Sequence, residues 1–149
     1  MRILVQRVSE ASVKIDGKVN GSIHHGMLLL VGIEEADSQE DIDWLAKKLT
    51  GLRIFNDDKG KMNLSITDVG GSFLAISQFT LHASTQKGNR PSYIKAARPE
   101  TAIPLYESFV SALRALGHRV ETGIFGADMN VSLINNGPVT ILIDSKNRE

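Results

Sequence analysis

Two hydroxyls, an amide and an aromatic ring lie side by side in Ser77-Gln78-Phe79-Thr80, after an apolar run that predicts a buried strand. Catalytic groups often lie where such strands lead into loops. A hydroxyl nucleophile needs a general base, and His82 is the nearest imidazole. No carboxylate lies between Asp68 and Glu100 to orient it, so a Ser/Thr–His–Asp triad is weakly supported. Backbone N–H groups at the strand end could instead form an oxyanion hole, or the hydroxyls could simply bond to the backbone.

A second candidate is the basic segment Lys87-Gly88-Asn89-Arg90-Pro91-Ser92-Tyr93. Residues 69–99 hold four bases and no acid, whereas residues 34–43 hold six acids and no base, although the formal net charge of the chain is zero. A neutral total can hide one positive face that a polyanion prefers. The segment could contact phosphates and stack a nucleobase, or both charged runs could be ordinary solvated surface. The four bases are Lys87, Arg90, Lys95 and Arg98.

The third candidate is Asn136-Gly137-Pro138, between the alternating segments 130–134 and 139–143. Asn-Gly between two such segments is typical of a β-hairpin. The proline is less expected, because it cannot donate to a strand ladder. A Gly-Pro bond at an exposed tip can be cis, although only about 5–6% of X–Pro bonds in folded proteins are. The residues alone therefore favour a plain hairpin and leave a functional tip as the alternative.

The composition excludes several kinds of site. The chain has no cysteine, which rules out disulfides and thiolate chemistry. The adjacent His24 and His25 cannot point the same way from a strand, so they are predicted to be turn residues, and neither a metal nor a cofactor is predicted. The longest apolar run, residues 27–33, is far shorter than the roughly 20 residues of a membrane helix. We expect a soluble cytoplasmic protein with no membrane contact.

The remaining patterns predict the scaffold. An apolar stripe at Ile42, Leu45, Ala46 and Leu49 predicts one helix, capped by Ser38. A second stripe from Leu105 to Leu116 predicts another helix, beginning at Pro99. The order of strands, helix, strands, helix and strands predicts one α/β domain over residues 1–149, a mixed sheet with two packed helices. Residues 1–33 are predicted to form strands, with a hairpin turn at Asp16-Gly17 between residues 13–15 and 19–23 and a buried strand at residues 27–31. Further strands are predicted at residues 52–55, 73–81, 120–122, 130–134 and 139–143, with a turn at residues 56–60.

Four motifs in order resemble one family. They are Ser77-Gln78-Phe79-Thr80-Leu81, Gly88-Asn89-Arg90-Pro91-Ser92-Tyr93, Phe125-Gly126-Ala127-Asp128-Met129 and Asn135-Asn136-Gly137-Pro138-Val139-Thr140. Together they look like the bacterial and eukaryotic type of D-aminoacyl-tRNA deacylase, the D-Tyr-tRNA deacylase family. The opening Gln6-Arg7-Val8-Ser9-Glu10-Ala11-Ser12-Val13 is similar too, so the resemblance spans nearly the whole chain.

The resemblance implies a barrel-like core, hydrolysis of D-aminoacyl-tRNA, and a homodimer whose sites lie at the subunit interface. It implies that Gly137–Pro138 is a cis peptide that enters the partner's pocket, grips the substrate amino group and, with Met129, takes part in chiral selection. Ser77, Gln78, Phe79 and Thr80 would line the pocket floor, and N–H groups near Phe79 and Thr80 would hold the ester carbonyl. Thr80 would be a nucleophile or a positioning group, and the missing triad favours positioning. Water, helped by the terminal ribose 2′-OH of the tRNA, would then attack the ester. The alternatives are a non-catalytic RNA-binding module and a structural dimer; whether glycyl-tRNA is also a substrate stays open.

Overall fold

The computed structural model describes residues 1–149, and its longest ladder joins β1 (Arg2–Ile15) to β8 (Asn130–Asp144). The opposite edge of β1 pairs antiparallel with β3 (Gly26–Gly32) over its first half and with β2 (Lys18–Ile23) over its second. The β1–β2 connection is the tight hairpin that Asp16-Gly17 predicts, since both residues have positive φ angles.

Three parallel strands continue the sheet. Strand β6 (Ser72–Ser77) lies beside β3, and β7 (Val120–Thr122) lies beside β6. The Asn20 side chain of β2 donates to the carbonyl of Thr122 at 2.8 Å, which brings the two ends of the sheet together. The predicted mixed sheet is therefore confirmed, and it is nearly closed into a barrel.

Two helices cover one face of this sheet. Helix α1 (Gln39–Gly51) follows the N-cap residue Ser38, whose N–H donates to the Asp41 carboxylate at 2.8 Å. Helix α2 (Pro99–Ala115) begins with proline, as predicted, but its apolar stripe ends earlier than expected, because Leu116 lies beyond the last turn and is 53% exposed. Neither helix is long and apolar enough to cross a membrane. The helices and the sheet enclose the larger hydrophobic cluster, and a smaller cluster fills the opposite face.

A short separate hairpin of β4 (Phe55–Asn56) and β5 (Met62–Leu64) lies outside the main sheet. The predicted strand at residues 52–55 is therefore wrong except for its last residue. The turn that Asp57 and Gly60 predict is present, with the Gly60 N–H donating to the Asp57 carbonyl at 3.0 Å.

The strand predicted at residues 73–81 ends early. Its last ladder-like contact is the Gln78 N–H to the Val31 carbonyl at 2.7 Å, after which residues Phe79–His82 form a 3₁₀ helix. Beyond this point β3 has ended, so no partner remains for a longer strand. The helix packs on Gly32, where a Cβ atom would lie 2.9 Å from the Leu81 Cβ. The missing side chain at Gly32 lets the 3₁₀ helix approach the sheet.

The predicted hairpin at residues 130–143 is also wrong. Both halves of that segment belong to one strand, β8, and both pair with β1 rather than with each other. Gln6 pairs with Thr140 and Val8 pairs with Asn135, so the four residues 136–139 face the single residue Arg7. The long-range ladder with β1 outweighs the local Asn-Gly turn signal. Pro138, which cannot donate to a ladder, falls within this wide bulge.

Candidate active site

Ser77 is the last residue of β6, at the edge where the carboxyl ends of β3, β6 and β7 meet. Catalytic and binding residues often lie on loops that rigid strands or helices position. The 3₁₀ helix with Phe79 and Thr80 lies at this edge, as does the segment 123–129 that follows β7. The residues predicted to line the pocket floor therefore lie together at an edge of the sheet where a ligand can bind.

The Thr80 hydroxyl is bonded by a group that cannot act as its base. The Gln78 side-chain N–H donates to Thr80 Oγ1 at 2.6 Å. His82 is 1% exposed, and neither of its ring nitrogens has a hydrogen-bond partner, so no imidazole is linked to Thr80. An amide donor orients the hydroxyl oxygen but cannot take its proton. The geometry supports positioning by Thr80 over nucleophilic attack.

An exposed aromatic pair links the strand end to the basic loop. The ring of Phe79 meets that of Tyr93 edge-on at 5.0 Å between centroids, and Phe79 is 53% exposed. Inside the loop, Ser84 and Ser92 exchange backbone hydrogen bonds of 2.8 and 2.9 Å. The loop is thereby closed on itself and held against the residue that precedes Thr80.

The four predicted bases of the loop are all exposed, and none of them takes part in an ion pair. The acidic run is different, because Asp37 and Asp41 are buried. Burial alone would raise the pKa of Asp41, but hydrogen bonds from Lys146 and Ser145 hold it well below its usual range. The interpretation of both runs as plain solvated surface is therefore wrong for these two acids, whereas the four bases of the loop are exposed and form no ion pair.

Glu35, from the same acidic run, holds the end of the basic loop. Its carboxylate accepts from the Arg98 N–H at 2.8 Å and from the Thr101 hydroxyl at 2.9 Å. These two hydrogen bonds lower the pKa of Glu35, the one from Arg98 more than the one from Thr101. Glu35 thus caps the start of α2, because the side chain of the N-cap residue Arg98 makes no capping hydrogen bond.

Met129 lies at the same edge as Ser77. A Cβ atom at Gly123 would overlap the Met129 sulfur and would lie 3.4 Å from Cδ1 of Ile76, the residue before Ser77. A cleft of about 500 Å³ opens nearby between α2 and residues 122–125. Tyr106 lines it and donates its hydroxyl to the Ala75 carbonyl at 2.8 Å, and burial raises the pKa of Tyr106 to about 12. This hydroxyl therefore stays protonated and anchors β6.

Gly137 and Pro138 lie elsewhere, in the bulge of β8. Their peptide bond is cis, and Gly137 has a φ angle of 127°. The buried Arg7 guanidinium donates to the Asn136 carbonyl at 3.0 Å and to the Ile54 carbonyl at 2.6 Å. Arg7 has no carboxylate within ion-pair distance. Its charge is used to hold the backbone of the bulge.

One chain does not bring the two groups together. The bulge faces Arg7, which pairs with Met27 at the start of β3. Gln78 of the predicted floor bonds to Val31, near the opposite end of β3. Four residues of strand correspond to about 13 Å, and three strand spacings from β8 to β6 add about 14 Å sideways. The predicted pocket floor and the predicted selector are therefore separate sites within one subunit.

Sequence reasoning did not assign roles to three residues that shape these sites. Arg7 was part of a recognised motif, and its charge between the apolar Val5 and Val8 is a signal that a buried polar partner is needed. Asn135 stands beside the Asn136-Gly137 turn signal, so the local pattern predicts only a turn residue there. Gly32 carries no local signal, because its importance comes from a contact with the distant 3₁₀ helix.

Comparison with known proteins gives the family. The family model described as "D-Tyr-tRNA(Tyr) deacylase" matches residues 4–144. A D-aminoacyl-tRNA deacylase of Bacteroides thetaiotaomicron is 66% identical, and one of Flavobacterium psychrophilum is 63% identical, each over the full length of both chains.

Solved structures show the same fold. The "c-Myc DNA Unwinding Element Binding Protein" superposes with a TM-score of 0.91 at 38% identity, covering 97% of this chain and 98% of that one. A probable eukaryotic D-amino acid tRNA deacylase superposes at 0.82 with 16% identity, covering 95% and 97%, which supports the fold alone. Because the family match and the full-length relatives cover the same chain, this protein belongs to the D-Tyr-tRNA(Tyr) deacylase family.

Proposed function

We propose that this protein hydrolyses the ester bond of D-aminoacyl-tRNA and releases the D-amino acid and free tRNA. The observation that carries the proposal is the strand end with Ser77 and Thr80, placed at the carboxyl edge of parallel strands in a chain whose full-length relatives are named deacylases. The chain 1–149 acts as one deacylase domain in the cytoplasm, where aminoacyl-tRNA is used. The alternative, a non-catalytic RNA-binding module, finds no support among these relatives.

The backbone N–H groups of Phe79 and Thr80 hold the ester carbonyl in this mechanism. Water adds to the carbonyl carbon, the ester C–O bond breaks, and the tRNA 3′-oxygen leaves with a proton. The Thr80 hydroxyl has no base that could take its proton, so Thr80 is not the attacking group. The ribose 2′-OH next to the ester assists the attack of water instead. An aminoacyl ester is already reactive, so orientation and stabilisation of the oxyanion are sufficient.

The complete site belongs to a homodimer. Gly137–Pro138 of one subunit enters the pocket above Ser77–Thr80 of the other subunit. There it binds the amino group of the substrate and sterically excludes an L-side chain. Met129 lines the same pocket. The separation of the two groups within one chain supports this arrangement. Strand β8 also pairs with β1 on one edge alone and exposes Ile134 and Leu142, which a second copy can cover.

The decisive test measures deacylation of D-tyrosyl-tRNA, L-tyrosyl-tRNA and glycyl-tRNA by the purified protein, with and without a metal chelator. We expect rapid hydrolysis of the D-substrate, little of the L-substrate, and no effect of the chelator. Equal rates on the two enantiomers would contradict chiral proofreading. Salt-sensitive tRNA binding without any hydrolysis would establish the RNA-binding module instead.

Thr80→Ala is expected to retain activity within about tenfold of the parent, since a positioning hydroxyl contributes roughly one hydrogen bond. Single-turnover deacylation of D-tyrosyl-tRNA measures the effect. Thr85→Ala, an exposed threonine of the basic loop, is the matched control. A loss near 10⁶-fold, or a trapped threonyl ester, would show that Thr80 is a nucleophile after all.

Neutralising the four loop bases by substitution with glutamine is expected to weaken tRNA binding and flatten its salt dependence. Each lost phosphate contact lowers the slope of log K against log salt by up to about one unit. The control replaces four exposed lysines elsewhere and removes the same charge: Lys47, Lys48, Lys59 and Lys61. Equal slopes of log K against log salt for the two variants would mean that the loop bases contact tRNA no more than other surface lysines do.

A further inference from the structure

The bulge of β8 leaves backbone groups without ladder partners, since residues 136–139 all lie opposite the single residue Arg7 and none of them is in register with β1. Such groups need other partners when they are shielded from water. On the leading side, the Asn136 carbonyl accepts from Arg7 Nε at 3.0 Å. On the returning side, the half-buried Val139 N–H donates to Oδ1 of Asn135 at 3.0 Å. Gly137 and Pro138 lie between these two attachments.

The Asn135 side chain has a second bond. Its Nδ2 donates at 2.9 Å to the hydroxyl of Thr140, the residue at which β8 rejoins the ladder opposite Gln6. The Gln6 side chain donates to the same hydroxyl at 3.3 Å. Asn135, the residue before the bulge, is therefore bonded to both residues at the end of the bulge, Val139 and Thr140. A side-chain amide suits this position because it offers an acceptor and a donor together.

We propose that Asn135 is a positioning residue that holds the Gly137–Pro138 segment rigid and thereby sets the discrimination between D- and L-substrates. The inference rests on the proposed function, in which that segment is the chiral selector. A selector that acts by steric refusal must not move, and a displacement of about 1 Å in such a group can cost about a hundredfold in rate. Arg7 fixes one flank of the segment, and Asn135 closes the loop across its base.

Two substitutions separate the hydrogen bonds from the volume of the side chain. Asn135→Leu keeps the branching and the number of side-chain heavy atoms but removes both bonds. We expect the ratio of kcat/KM for D- over L-tyrosyl-tRNA to fall at least about tenfold, mainly through kcat. Asn135→Asp keeps the acceptor for Val139, and the Thr140 hydroxyl can turn to donate to it. We expect this variant to stay within about threefold of the parent.

The matched control is Asn130→Leu, on the same strand, where the exposed side chain makes no hydrogen bond in the structure. A second readout needs no substrate: amide hydrogen exchange at Val139 should accelerate in Asn135→Leu and remain at the parent rate in Asn130→Leu. If Asn135→Leu does not fold, Thr140→Val removes the far anchor and should lower the ratio about threefold.

The outcomes distinguish the two levels of the proposal. A parent enzyme that fails to discriminate between enantiomers contradicts the proposed function. A parent that discriminates, together with an Asn135→Leu variant that discriminates equally well, overturns the role of Asn135 alone. Unchanged Val139 exchange in Asn135→Leu would overturn it too, because the side-chain bond would then not protect that amide.

Discussion

Gly137→Ala is expected to lower kcat/KM for D-tyrosyl-tRNA by at least about a hundredfold, the scale of effect that a misplaced binding group produces. The φ angle of 127° is one that side-chain-bearing residues rarely adopt. A Cβ atom there would lie 2.8 Å from Nη2 of Arg7 and 3.0 Å from Cγ2 of Val139. Arg7 cannot yield easily, because it is buried and bonded to the Ile54 and Asn136 carbonyls. The segment must therefore shift away from the position it needs for substrate.

Gly60→Ala is a control for placing a side chain at a positive φ angle outside the proposed site. Gly60 also has a positive φ angle, 73°, but a Cβ atom there would meet nothing within 4 Å. This control should lose roughly 1–3 kcal/mol of stability and keep full activity. Thermal unfolding and single-turnover deacylation of both variants give the comparison. Full activity and full chiral discrimination in a folded Gly137→Ala variant would remove this segment from the site.

Gly32→Ala is expected to lower kcat by at least about a hundredfold, although Gly32 touches no substrate. A Cβ atom at Gly32 would lie 2.9 Å from the Leu81 Cβ and 3.1 Å from the Gln78 carbonyl oxygen. Because β3 is held by ladders on both edges, the 3₁₀ helix has to move rather than the strand. That movement displaces the N–H groups of Phe79 and Thr80 from the ester carbonyl.

The matched control for this variant is Gly51→Ala, at the end of α1, where a Cβ atom meets nothing within 4 Å. It should leave both activity and stability at or above the parent level. Circular dichroism and thermal unfolding establish that Gly32→Ala still folds. If Gly32→Ala folds and retains its kcat, the position of the 3₁₀ helix does not govern the reaction.

The same two variants test the dimer. Gly137→Ala damages the selector, and Gly32→Ala damages the floor, so a mixed dimer keeps one site with both parts intact. Random exchange between equal amounts makes half the dimers mixed, and the activity should return to about a quarter of the parent. If subunits demonstrably exchange and no activity returns, the floor and the selector do not come from different subunits.

The elements that can be predicted from the residues alone are those whose signals are local. The stripe from Ile42 to Leu49 with its cap at Ser38 predicted α1, and Pro99 marked the start of α2. Asp16-Gly17 predicted the first hairpin because a two-residue turn restricts φ within the turn itself. The polar end of β6 at Ser77 also emerged from the residue pattern. In each case the physical cause operates over a few neighbouring residues.

How distant parts of the chain meet depends on contacts that form only in the folded protein. Asn135 and Gly137 looked like a hairpin because their local turn propensity is strong, yet both flanks of the segment gain a full ladder with β1, more than a hundred residues away in sequence. The Gly32 contact with the 3₁₀ helix and the burial of Arg7 likewise arise from packing between separate elements. The separation of the selector from the floor follows from strand register. Register depends on pairing between strands, so no local pattern could reveal that one subunit holds the two halves apart.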